Sequence, residues 1–129
     1  MKIVTFISLI AILTFSSCNS QNKNYQTIAP KEFSIKIASQ ANAQILDVRT
    51  TEEYNECHLE NAKNINWNSE DFVKNVEKLD KSKPILVYCK LGGRSAKASD
   101  KLVELGFKNI INLDGGIINW TNSGLPTKK

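Results

Sequence analysis

Histidine is almost absent from this sequence, since His58 is the single one among 129 residues. Metal sites in proteins are usually built from several histidine, cysteine and carboxylate side chains at short, regular spacings. The chain shows no such spacing with its one histidine and three cysteines, so no metal is expected. The length fits one domain and leaves no room for a second copy of it.

A strong excess of either charge is also lacking. Seventeen Lys and Arg stand against 13 Asp and Glu, a formal net charge of +4. Charges of both signs are interspersed over residues 70–83, as on a solvated surface. A surface that binds nucleic acid needs clustered cations, so no nucleic-acid partner is expected. The mild positive balance is compatible with small anionic substrates.

Long apolar runs are lacking except over residues 3–15. That run is shorter than the roughly 20 residues of a membrane-spanning helix. With Lys2 before it and small serines after it, it predicts a signal peptide over residues 1–17. Small residues directly before Cys18 resemble a bacterial lipoprotein cleavage site, with Cys18 bearing the lipid. We therefore expect a lipid-anchored protein of the bacterial cell envelope that faces the periplasm. A soluble periplasmic or secreted protein is the alternative.

The rest of the chain divides into a tether and a domain. Residues 18–27 are polar and lack apolar periodicity, which predicts a flexible tether. Residues 28–127 alternate expected strands (45–48, 64–67, 85–88, 110–113) with expected helices (from Pro30, 51–55, after an Asn68 cap, 95–105, 116–123). This alternation predicts an α/β fold in three layers, a central parallel sheet with helices on both faces.

The most informative segment follows the apolar strand 85–88. The strand ends at Cys89, and a glycine-rich loop with two cations leads into a helix near Ser95. Inward-turned loop amides, the positive end of the helix dipole and the two cations all favour the thiolate form of Cys89. The predicted site therefore comprises Cys89 with Lys90, Leu91, Gly92, Gly93, Arg94 and Ser95. An ordinary buried thiol is the alternative, but it would not need such a loop.

The length of this loop bears on its chemistry. Four residues separate Cys89 from Arg94, whereas the loop of protein tyrosine phosphatases is one residue longer and encloses a tetrahedral phosphate. The shorter loop favours a single sulfur atom bonded to Cys89 over a phosphoryl group. An arsenate reductase or phosphatase is therefore disfavoured.

At this point the sequence resembles the rhodanese family, whose loop follows the pattern C-[RK]-x-G-x-[RK]-[ST]. Further segments match in the family's order across about residues 28–126. The matching segments are Asp47-Val48-Arg49 with Glu53-Tyr54, Cys57-His58-Leu59 through Ile65, Leu113-Asp114-Gly115-Gly116 with Trp120, and Gly124-Leu125-Pro126. The resemblance implies the rhodanese-like fold described above.

Two positions depart from the family pattern. Cys57 and Asn61 stand where the family usually has glycine. Asparagine tolerates the left-handed backbone conformation, whereas Cys57 would carry strain if its φ were positive. We expect Cys57 at the opposite edge of the sheet from Cys89, with no disulfide between them.

The resemblance implies transfer of a sulfane sulfur from thiosulfate or a related donor to a thiol or cyanide acceptor. The sulfur passes through a persulfide on Cys89, and no cofactor is required. Lys90 and Arg94 would attract the anionic donor, and Asp47 and Arg49 would form a supporting ion pair. The alternative is a persulfide carrier or partner-docking module without turnover.

Overall fold

The structure is a computed structural model that describes residues 24–129. The predicted signal peptide, the lipid-bearing Cys18 and tether residues 18–23 lie outside the described residues. Five strands are present: β1 Gln26–Ile28, β2 Gln44–Asp47, β3 Lys63–Asn64, β4 Ile85–Tyr88 and β5 Ile110–Leu113. Five helices alternate with them: α1 Pro30–Ser39, α2 Thr51–Glu56, α3 Phe72–Val76, α4 Gly93–Glu104 and α5 Gly116–Asn122. No helix in this range has the length and apolar character needed to cross a bilayer.

The strands form one parallel sheet in the order β1-β5-β4-β2-β3. This confirms the α/β fold with a central parallel sheet. Strand β4 occupies the middle position, and all four of its residues are buried. The carboxyl ends of parallel strands meet at one edge, where such sheets bind their ligands. Residues that follow β2 and β4 are therefore brought together.

Different helices cover the two faces of the sheet, as the sequence predicts. Successive side chains of a strand point to opposite faces, so β4 contributes to both cores. One core contains Ile85, Val87 and Cys89 of the β4 segment with Phe72, Val76, Ala98 and Leu102 of α3 and α4. The other contains Leu86 and Tyr88 with Phe33, Ile117 and Trp120 of α1 and α5.

The N-terminal part of the domain begins earlier than expected. Gln26 and Thr27, assigned to the tether from their polarity, lie in β1 and pair with Ile111 and Asn112. Their side chains are exposed at the edge of the sheet, so an alternating apolar pattern is not required there. The predicted tether over residues 18–27 is therefore wrong for residues 26 and 27, which belong to the sheet.

Two further boundaries differ from the prediction. The strand expected over 64–67 ends at Asn64, but the Trp67 amide still donates to the Val48 carbonyl at 3.0 Å, so the chain continues beside β2. The helix expected after an Asn68 cap begins at Phe72. Asn68 instead donates its amide to the side chain of Asn66 at 3.0 Å, which stabilises a turn before the helix.

Candidate active site around Cys89

Cys89 follows β4 directly, and its side chain lies inside its own loop. Its Sγ accepts the Gly92 amide at 3.0 Å and lies 3.3 Å from Ser95 Oγ, to which the thiol donates. The Ser95 hydroxyl in turn donates to the Gly92 carbonyl at 3.2 Å. Within residues 24–129, one loop amide binds the sulfur where the sequence analysis expects several. Cys89 is 1% exposed, so the loop encloses its sulfur.

The loop can turn back on the sulfur because of Gly92. This residue has φ of +107°, in the left-handed region that favours glycine, and it forms the N-cap of α4. Helix α4 therefore begins at Gly93, two residues before the expected start at Ser95. The exposed side of the loop carries Lys90 and Leu91, and Leu91 is 69% exposed.

Helix α5 holds the other side of the loop through its first backbone amides. The amide of Ile117 donates to the Cys89 carbonyl at 2.9 Å, and that of Ile118 donates to the Lys90 carbonyl at 3.2 Å. Gly116 permits this approach: its φ is +64°, and a Cβ atom there would lie 2.3 Å from the Lys90 carbonyl oxygen. Gly116 belongs to one of the matching sequence segments, but the sequence pattern does not predict this contact.

Arg94 has a partner that the sequence analysis does not assign. Its two terminal nitrogens donate to the carboxylate of Glu53 at 2.7 and 3.0 Å. The hydrogen bond from Arg94 lowers the pKa of Glu53 to about 2, and the bond to Glu53 raises the pKa of Arg94. Both groups are therefore charged at neutral pH. Arg94 therefore forms one half of an ion pair with Glu53.

Glu53 is held in place by the start of its own helix. Thr50 is the N-cap of α2, and its Oγ1 accepts the Glu53 amide at 3.2 Å. The same hydroxyl donates to Glu53 Oε1, also at 3.2 Å. A threonine cap followed three residues later by glutamate was the signal that could have identified this arrangement. Helix α2 is thereby connected to the first turn of α4.

Asp47 and Arg49 form the expected ion pair, and both are buried. Arg49 Nη2 lies 2.6 Å from Asp47 Oδ2 and also donates to the Cys57 carbonyl at 2.6 Å. Burial by itself lowers the pKa of Arg49, but its hydrogen bond and charge interaction with Asp47 outweigh that effect and raise it. Burial and the Asp47 charge also raise the pKa of Tyr88, so this phenol stays neutral. Its oxygen accepts the Leu59 amide at 3.0 Å.

The contact with Arg49 places Cys57 at the same edge of the sheet as Cys89, so the expectation of the opposite edge is wrong. Both cysteines are free thiols. The Cys57 backbone is extended, with φ of −166°, and carries no strain from a positive φ. Asn61 does adopt the left-handed conformation, with φ of 63°.

A pocket of about 240 Å³ lies beside the Cys89 loop. Seven residues line it: Arg49, Glu53, Glu56, Cys57, Lys90, Ile117 and Ile118. Two of them, Ile117 and Ile118, also bind the loop carbonyls through their amides. The pocket therefore shares a wall with the loop that encloses the sulfur.

No group of three or more His, Cys, Asp or Glu side chains suited to a metal occurs within the described range.

The fold and the site define an α/β protein with a loop-enclosed cysteine at the carboxyl edge of a parallel sheet. The model of the rhodanese-like domain family matches residues 29–123. The chain therefore belongs to the rhodanese-like domain family.

Individual relatives cover different shares of the match. Thiosulfate sulfurtransferase 18 of Arabidopsis thaliana is 31% identical over 122 residues, covering 85% of this chain and 90% of the relative. A tRNA uridine(34) hydroxylase of Pelagibacter ubique is 38% identical over 105 residues, 81% of this chain, but the match spans only 35% of the hydroxylase. A rhodanese-related protein from Thermoplasma volcanium superposes with a TM-score of 0.71 at 29% identity, covering 81% of this chain and 98% of the other.

Replacing Gly116 with alanine should open the loop around Cys89. The added Cβ would collide with the Lys90 carbonyl, and a left-handed alanine by itself costs about 1–2 kcal/mol. Gly124→Ala is the matched control, because Gly124 has φ of +78° but open space around it. We expect Gly116→Ala to lose more stability than Gly124→Ala and to alkylate faster with iodoacetamide at Cys89, measured by peptide mass mapping. Equal losses and equal alkylation rates would contradict this account of the loop.

The ion pair of Glu53 and Arg94 should make stability depend on pH in the acid range. The pKa of Glu53 is about 2 in the folded protein against an ordinary value of 4.5. Its contribution is therefore complete above about pH 4.5 and is lost as the pH falls towards 2. We expect Glu53→Gln to lower the melting temperature at neutral pH, with a loss of about 1 kcal/mol in the free energy of unfolding. In acid, the melting temperature of this variant should approach that of the wild type. Glu52→Gln, at an exposed position of the same helix, should show no such convergence.

Proposed function

We propose that this protein is a sulfurtransferase that carries a sulfane sulfur on Cys89. The thiolate attacks the outer sulfur of thiosulfate or a related donor, the S–S bond of the donor breaks, and sulfite leaves with the electron pair. An acceptor thiol or cyanide then attacks the outer sulfur of the Cys89 persulfide. The Cys89 thiolate is regenerated in that step, so the cycle is balanced without a further oxidant or reductant.

The observation that carries this proposal is the position of the Cys89 sulfur inside its loop. The Gly92 amide donates a hydrogen bond to that sulfur and Ser95 Oγ lies 3.3 Å from it, so both groups lie beside the atom that would receive the transferred sulfur. The short spacing from Cys89 to Arg94 favours a single added sulfur over a tetrahedral phosphate. The name of the Arabidopsis relative, a thiosulfate sulfurtransferase, supports the same chemistry.

The loop residues divide into two roles in this proposal. Gly92 and Ser95 contact the reacting sulfur, whereas Arg94 is neutralised by Glu53 and positions the start of α4. Lys90 is the exposed cation of the loop and faces the adjacent pocket. It is therefore the loop cation available to an anionic group of a substrate.

A turnover assay with a matched cysteine variant tests this function. With thiosulfate and cyanide, we expect the wild type to form thiocyanate and Cys89→Ser to form none. Thiosulfate alone should add the mass of one sulfur atom to the wild type at Cys89. Cys57→Ser is the control, since its thiol is not the proposed carrier and its variant should still take up sulfur.

The turnover and sulfur-uptake measurements, together with a phosphatase assay, separate the alternatives. One added sulfur with no continuing turnover would identify a persulfide carrier in place of an enzyme. Hydrolysis of nitrophenyl phosphate would contradict the argument from loop size. Absence of any sulfur uptake would overturn the proposal.

We also propose that the protein is anchored by lipid at Cys18 and faces the periplasm. The support is the sequence itself, in which residues 3–15 are apolar and two serines precede the cysteine. In a bacterial host, we expect labelled fatty acid to be incorporated into the wild type and the protein to fractionate with membranes. Cys18→Ser should lose both properties, whereas Cys57→Ser should keep them. A fully soluble, unlabelled wild type would contradict the anchor.

A further inference from the structure

We propose that the pocket beside the Cys89 loop binds the sulfur acceptor and selects a thiol that carries both a carboxylate and an ammonium group. This inference rests on the proposed sulfur transfer, and it names the substrate class for the second half of that reaction. The acceptor pocket is the cavity of about 240 Å³ lined by Arg49, Glu53, Glu56, Cys57, Lys90, Ile117 and Ile118.

The position of the acceptor pocket fits this role. Its wall includes Ile117 and Ile118, whose amides bind the carbonyls of Cys89 and Lys90 at 2.9 and 3.2 Å. A molecule in the pocket therefore lies against the loop that holds the reacting sulfur. The volume is below the range of roughly 300–1,000 Å³ that accommodates drug-sized ligands, so the pocket suits a small molecule.

Two of the four charged residues in the pocket already have buried or half-buried partners. Arg49 is paired with Asp47 at 2.6 Å, and Glu53 is paired with Arg94 at 2.7 Å. In each pair the two charges neutralise each other, so neither Arg49 nor Glu53 offers a full charge to a ligand.

The remaining two charged residues are Lys90 and Glu56. Both are exposed, and neither side chain forms an ion pair with any residue in the 24–129 range. The pocket thus presents one cation on the catalytic loop and one carboxylate at the end of α2. A pair of this kind matches a ligand with one charge of each sign.

An amino-acid thiol has that charge pattern within a few bonds of its sulfur. Its carboxylate would pair with Lys90 and its ammonium with Glu56, while the apolar side of the ligand contacts Ile117 or Ile118. The ligand's thiolate attacks the outer sulfur of the Cys89 persulfide, the S–S bond breaks, and the electron pair returns to Cys89. The product is the persulfide of the amino-acid thiol.

Single-turnover measurements test this selection directly. Cys89 is loaded with sulfur from thiosulfate, the excess donor is removed, and the loaded protein is mixed with one of four thiols. Cysteine carries both charges, mercaptopropionate only the carboxylate, cysteamine only the ammonium, and mercaptoethanol neither. For each thiol, the transfer rate of a variant is divided by the transfer rate of the wild type. Differences in the intrinsic reactivity of the thiols cancel in this ratio.

A crossed pattern is expected from the two pocket variants. Lys90→Gln should lower the transfer rates to cysteine and mercaptopropionate by about fivefold more than the transfer rates to the other two thiols. This is the effect expected from the loss of one partly exposed charge pair. Glu56→Gln should instead lower the rates to cysteine and cysteamine by a similar factor. Glu52→Gln and Lys97→Gln, at exposed positions that do not line the pocket, should keep the wild-type ratios.

The outcomes separate this inference from the proposed function. If both pocket variants keep the wild-type ratios while the loaded protein still passes its sulfur to cyanide, the pocket does not select the acceptor and the sulfurtransferase function stands. If Cys89 takes up no sulfur from thiosulfate, the proposed function is wrong, and the inference fails with it.

Discussion

The hydrogen bonds from the first turn of α5 to the carbonyls of Cys89 and Lys90 are the contacts on which the site depends. They fix the outer side of a loop whose inner side closes on the Cys89 sulfur through the Gly92 amide. The approach of α5 is close enough that only glycine fits at position 116. The shape of the loop around the sulfur is therefore set by a segment more than twenty residues further along the chain.

Ion pairing governs the surroundings of this loop. Each of the two arginines at the site, Arg49 and Arg94, is held by a carboxylate, and each arginine connects two segments of the chain. Arg49 reaches from the end of β2 to the Cys57 carbonyl, while Arg94 reaches from α4 to Glu53 in α2. Neutralised in this way, the arginines act as structural supports. The exposed charged side chains that line the adjacent pocket are those of Lys90 and Glu56.

The sequence was sufficient for the fold class and for the central residue of the site. Apolar strands that alternate with helices require crossover connections, so a parallel sheet with its carboxyl ends at one edge follows from the pattern alone. The Asp47 and Arg49 ion pair was also predictable, since Asp47 is the last residue of a strand and Arg49 lies two residues further on. Strand β1 was not, because its exposed edge residues Gln26 and Thr27 are polar and carry no alternating pattern. The start of α3 was missed because turn-forming side chains precede it.

The sequence by itself determined that a cysteine stands at the end of a buried strand, before a glycine-rich loop and a helix. These features are local, because they depend on neighbouring residues and on the periodicity of one segment. Only the tertiary structure decided that Arg94 is paired with Glu53, that Gly116 lies against the loop, and that Cys57 shares an edge with Cys89. Each of these contacts joins residues distant in the chain, and their proximity depends on how strands and helices pack, which no local pattern records.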